Sequence, residues 1–190
     1  MDEQGWHELR TQDTLKAAKH LVDQDFLSGY EWMRIQMNKY LGSGTTGNQY
    51  PLWAWYQAKN ENEKRPDLRE SGYLQRGKTG FRVEFEKDRS EVLLSDFELW
   101  HFVLNQSFLA KSMYKFDQFE KRLYRSFGTS NFSELPHAVQ NEIEESWEKI
   151  FDLNFQAKDI ANPRANKQIQ ATFWELNMNE VIQVDRFTAR

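Results

Sequence analysis

Apolar and polar positions alternate most regularly around residue 83, where Phe81, Val83 and Phe85 interleave with Arg82, Glu84 and Glu86. A period of two predicts a half-buried strand. Glu91 to Leu94 predicts a second, shorter strand. Ser95 and Asp96 follow as good N-caps for a helix over FELWHFVLN, in which Phe97, Trp100, His101 and Leu104 share a face. Helical spacing recurs in Tyr114, Phe116, Phe119, Leu123 and Phe127, predicting a helix over 111–127. It recurs again in Val139, Ile143, Trp147 and Ile150, in a helix that starts near Ser133 with Pro136 in its first turn. Asn162-Pro163 breaks the chain, and 168–176 and 181–187 predict two closing strands.

The first half is less regular. Trp6 to Thr11 predicts a short strand, after which Thr11 or Asp13 caps a helix to about Gln24 with Leu15, Ala18, Leu21 and Val22 on one face. Ser28-Gly29-Tyr30-Glu31 has capping-box spacing. The helix after it carries Tyr30, Met33, Met37, Tyr40 and Leu41. The GSGTTGN stretch, 42–48, is a breaker loop. Next comes an aromatic strand with Tyr50, Trp53, Trp55 and Tyr56, then a polar loop from Lys59 to Thr79. Short strands at both ends with helices between them predict one compact α+β domain over 1–190, its helical insertion at about 106–160. The first and last strands are too short to stand alone, so they are expected to be neighbours in one sheet.

Composition narrows the classes. A chain of 190 residues can bury a full core without staples. With no Cys there is no disulfide frame, thiolate nucleophile or Cys-based metal site, and a reducing cytoplasm is the expected compartment. The opening MDEQGWHELR is polar and acidic, unlike a signal peptide, and no apolar run approaches a membrane span. A net charge of -4 argues against a broad basic footprint for duplex nucleic acid, but leaves room for a local basic groove. Mean hydropathy is only -0.84 although 15 % of residues are aromatic, which places the aromatics in a core or cleft under a polar surface.

The usual catalytic motifs are absent. The four His are scattered, with no HxH or HExxH spacing, and no metal site is expected. GSGTTGN lacks the Lys and the strand–helix setting of a phosphate loop. There is no GxGxxG and no GxSxG. The aromatic strand stands out instead. Flat rings with polar tips suit a planar ligand, a base or a nicotinamide ring, and equally a strand packed in an aromatic core.

Taken together, WHELRTQ, PLWAWYQ, RPDLR and LLSDFELWHFVLN resemble a bacterial family of uncharacterised domains, over nearly the whole chain. In pattern rather than identity, the order of segments is similar to the DNA-targeting ADP-ribosyltransferase toxins. That second resemblance implies NAD as a substrate and a nucleic acid or protein as acceptor. It implies that Arg10 and Thr11 hold the ribose or phosphates, that Trp53 and Tyr56 stack on rings, and that Arg65, Asp67 and Arg69 contact phosphate or substrate, with His101 as a further candidate. Gln170 stands where that family has its catalytic Glu. Gln holds a hydroxyl but is no general base. Glu175 lies an odd number of residues away, on the opposite strand face unless a bulge intervenes. The alternative is a non-catalytic binding module whose aromatic cleft takes a nucleotide or a partner peptide. The two readings are discriminated by whether Arg10, Thr11, Tyr56 and Gln170 line one pocket. Asp96, read only as a cap, is worth about 1 kcal/mol.

Overall fold

The computed structural model describes residues 1–44, 49–68, 70 and 74–190. Among them are five α-helices and eight strands, an α+β arrangement. Helix α1 spans Glu3–Gln12. Strands β1 (Thr14–Ala18), β2 (Gln49–Tyr50) and β7 (Glu175–Asn177) form one antiparallel sheet in the order β2-β1-β7. Strands β3 (Leu52–Gln57), β5 (Leu93–Asp96) and β6 (Ile169–Phe173) form a second, in the order β3-β6-β5. Strands β4 (Thr79–Phe85) and β8 (Val181–Thr188) make a two-stranded ribbon. Helices α2 (Leu27–Leu41), α3 (Phe97–Leu104), α4 (Met113–Phe127) and α5 (His137–Trp147) complete the domain.

The amino-terminal expectations are corrected. Trp6–Thr11 lies inside a helix, not a strand, because Asp2 caps it by accepting from Gly5 N at 2.8 Å and Leu9 alone needs full burial. Asp13 ends that helix in the left-handed region, at φ 57, instead of starting another. The segment expected as the next helix is β1, pinned between β2 and β7, so pairing overrides its helical spacing. The neighbour relation survives in altered form: Leu9 packs against Phe173 and Leu176. At α2 the N-cap is Phe26 with no side-chain bond, and Glu31 turns instead to Tyr50, Arg34 and Lys19. In the second half α3, α4 and α5 follow their pattern, whereas the strand expected over 168–176 divides into β6 and β7 in different sheets. Gly128 at φ 73 closes α4 where only a left-handed residue fits.

The β3-β6-β5 sheet divides the apolar interior. Trp53 and Leu93 pack on a large cluster built by Trp32, Met33, Leu99, Trp100, Ile143 and Trp147 from α2, α3 and α5. Leu52, Ala54 and Phe173 pack on a smaller cluster with Leu9, Val83 and Phe85. Successive strand residues thus serve opposite faces. Asp96 joins the sheet to the helices. Its Oδ1 accepts from Glu98 N and Leu99 N at 3.0 and 3.3 Å, and its Oδ2 accepts from Lys167 Nζ. Both side chains of that ion pair are buried, at 0 % and 2 % exposure.

Candidate functional site

A groove of about 1250 Å³ is lined by the β3-β6-β5 sheet and the β4-β8 ribbon. Its apolar lining includes Leu52, Ala54 and Phe173 from the sheet and Phe81, Val83 and Phe85 from the ribbon. Phe81, Val83 and Phe85 are one alternation set of β4, and the sheet adds the small Ala54 and Ala171 to the lining.

Two bulges shape the lining. On β3, Trp55 pairs with Gln170 and Gln57 with Ile169, so Tyr56 is the extra residue and is pushed outward, 48 % exposed. On β8, Glu84 pairs with Gln183 and Phe85 with Val181, so Ile182 is extra and 63 % exposed. Both residues line the groove. A bulge re-aims a side chain that regular pairing would direct elsewhere. No residue type at either position signals this in advance.

Charged groups also line the groove. Arg65 Nη2 donates to Glu84 Oε2 at 2.8 Å, and Arg82 Nη2 to Asp185 Oδ2 at 2.7 Å. Lys87 Nζ donates to Glu180 Oε1 at 2.6 Å. Hydrogen bonds from Arg82 and Gln183 hold the Asp185 carboxyl below its usual range, with Arg82 and Arg65 adding charge attraction. Lys64, Arg89 and Arg164 line the same groove and have no ion-pair partner among the described residues. Their side chains are therefore available cations beside an apolar surface. The exposed carboxylate of Glu86 is likewise unpaired there.

The predicted residues fall into separate places. Trp53, Tyr56 and Arg65 line the groove. Trp53 does so while its ring packs against Trp100 and Tyr30 in the helical cluster, and its Nε1 lies shielded without an acceptor. Asp67 lines a smaller pocket of about 400 Å³ together with Arg65 and Lys59. Arg69 lies outside the described residues. Arg10 and Thr11 are exposed on α1 and line neither pocket. The Arg10 guanidinium lies 5.9 Å from the Trp6 ring centre, and Thr11 Oγ1 donates to His7 O at 2.8 Å. The expected end of the cleft is displaced because this segment is a helix, not a strand of the sheet. His101 is exposed, with Nδ1 3.1 Å from the Phe97 carbonyl oxygen.

Gln170 also lies off the groove lining. It stands between Trp55 and Ser95 in the sheet, in step with Thr172, Trp53 and Leu93, residues of the face turned to the helices. Its Oε1 is shielded and accepts no hydrogen bond. Glu175 is on β7 and forms an ion pair with Lys16 at 3.2 Å. The structure therefore joins Trp53, Tyr56 and Arg65 in one groove and leaves Arg10, Thr11, Gln170, Glu175 and His101 outside it. It adds Ile182, Lys64, Arg89 and Arg164, from segments whose linear spacing carries no common signal.

Among the described residues no cluster of His, Cys, Asp and Glu has the makings of a metal site, and no helix is long and apolar enough to cross a membrane. The family model of a domain of unknown function, DUF3841, matches residues 2–182. No curated protein and no solved structure matches the chain.

Proposed function

The chain belongs to the DUF3841 family of domains of unknown function, and we propose that its groove binds a nucleotide. The observation that carries this reading is that Lys64, Arg89 and Arg164, which have no ion-pair partner among the described residues, stand on an otherwise largely apolar groove that exposes Tyr56. Apolar and aromatic lining accepts a base, and free guanidinium and ammonium groups accept phosphates. A peptide partner would use the apolar surface but leave those cations without counter-charges unless it were acidic.

NAD is the first nucleotide to test, since the resemblance to ADP-ribosyltransferase toxins implies it. Isothermal calorimetry with NAD, ADP and adenosine separates the contributions of phosphate and base. Binding of NAD and ADP that weakens steeply with salt is expected. No heat at millimolar nucleotide would overturn the reading.

A second reading adds chemistry: ADP-ribosyl transfer from NAD to a nucleic acid or protein acceptor. It is favoured by the free carboxylate of Glu86 in the groove lining, an acceptor for a sugar hydroxyl or a proton that Gln170 cannot replace. It predicts release of nicotinamide when NAD is incubated with the protein and nucleic acids or a lysate. Binding without release leaves the domain as a nucleotide-binding module.

A further inference from the structure

We infer that Glu84 is the resident counter-ion of Arg65 and Arg82 in the groove, an internal anion that opposes a phosphate held beside them. The inference rests on the nucleotide reading above. All three residues line the groove. Glu84 Oε2 accepts from Arg65 Nη2 at 2.8 Å, and Oε1 stands 3.5 Å from Arg82 Nε. The Glu84 side chain is 18 % exposed, and Oε1 is shielded from water yet accepts no hydrogen bond.

The two arginines are held differently. Arg82 keeps Asp185 as a second partner, so it stays paired if Glu84 leaves. Arg65 is 64 % exposed and has Glu84 as its ion-pair partner. Glu84 thus holds the exposed Arg65 guanidinium at the groove and neutralises it there. A phosphate arriving beside Arg65 meets the Glu84 carboxylate at short range in a partly shielded site, where like charges repel more strongly than in water. Contact of a phosphate with Arg65, next to Lys64, requires the carboxylate to give way. Glu84 therefore sets a threshold against phosphorylated ligands and none against neutral ones.

The test compares ADP and adenosine binding by calorimetry in the wild type and in Glu84→Gln, a change that keeps shape and hydrogen bonding but removes the charge. ADP should bind about tenfold tighter to the variant, the scale of one like charge removed from a partly exposed site, with adenosine unchanged. ADP binding that is unchanged or weaker, or a gain shared equally by adenosine, overturns the inference. Should Glu84→Gln fail to unfold cooperatively, Arg65→Met carries the test. It should weaken ADP several-fold and spare adenosine, and an equal effect on both overturns the inference. ADP that binds the wild type without any Glu84 effect removes this inference alone, whereas no binding of ADP at all removes the nucleotide reading with it.

Discussion

Replacing Asp96 by Ala removes two supports at once, and the structure allows them to be separated. The first is the α3 cap, two backbone N–H bonds to Oδ1 at 3.0 and 3.3 Å, worth about 1 kcal/mol. The second is the partner of a fully buried ammonium, since Lys167 is 0 % exposed and donates to Oδ2. Removing one member of a buried pair leaves the other uncompensated, at a cost of about 3–5 kcal/mol. Asp96→Ala should therefore cost about 4–6 kcal/mol, well above the value for a cap alone. For a chain of this length that lowers the melting temperature by roughly 10–20 °C. Asp96→Asn keeps a capping oxygen but not the charge, so it should lose only the second part, about 3–5 kcal/mol. Adding Lys167→Met to Asp96→Asn should recover much of that loss, because the stranded ammonium is gone. Urea unfolding of the four proteins measures each value. A loss of about 1 kcal/mol for Asp96→Ala, with no coupling to position 167, would show that the ion pair contributes nothing and would refute this reasoning.

Tyr56→Ala should weaken ADP or NAD binding about tenfold by calorimetry, since base–aromatic stacking is worth about 1–3 kcal/mol, and leave urea unfolding nearly unchanged because the ring is exposed. Gln170→Glu should destabilise the fold by about 3 kcal/mol or more, because it puts a carboxylate where the present Oε1 finds no donor. Unaltered unfolding together with faster NAD turnover would return position 170 to the site. Burial raises the Tyr50 pKa to about 12, helped by its hydrogen bond to Glu31. Above its usual value near 10 the unfolded chain loses that proton first, so stability present below pH 10 should drain away as pH rises toward 12. Tyr50→Phe should flatten that alkaline limb in denaturation curves measured across pH.

The elements legible in the sequence are those whose pattern and surroundings agree. In β4 a period of two coincides with one ribbon face packed inward, and in α3 a strong cap precedes a run that needs burial. The first two dozen residues depart from their linear pattern because their structure is set from a distance. Strand β1 is a strand only because β2 and β7 lie on either side of it. Site residues were harder still. Tyr56 reaches the groove through a bulge, and Lys64, Arg89 and Arg164 meet there from three remote segments. Lys167 gave no warning, since lysine ordinarily sits in water and only the position of Asp96 makes its burial tolerable. The resemblance to a family of uncharacterised domains holds over residues 2–182 but carried no chemistry with it.

The rings of Trp53 and Trp100 stand 4.9 Å apart at an angle of 42°, with Tyr30 edge-on to both. Indole transition dipoles this close exchange excitation, and an oblique pair divides its absorption into two circular dichroism bands of opposite sign. The far-ultraviolet spectrum of the folded protein therefore carries an aromatic couplet on top of its backbone signal, and helix content computed from that spectrum will be in error for as long as the cluster stands. Since Trp53 also borders the groove, the same couplet makes the chain its own optical gauge: a molecule that shifts the Trp53 ring changes the couplet's amplitude with no dye attached.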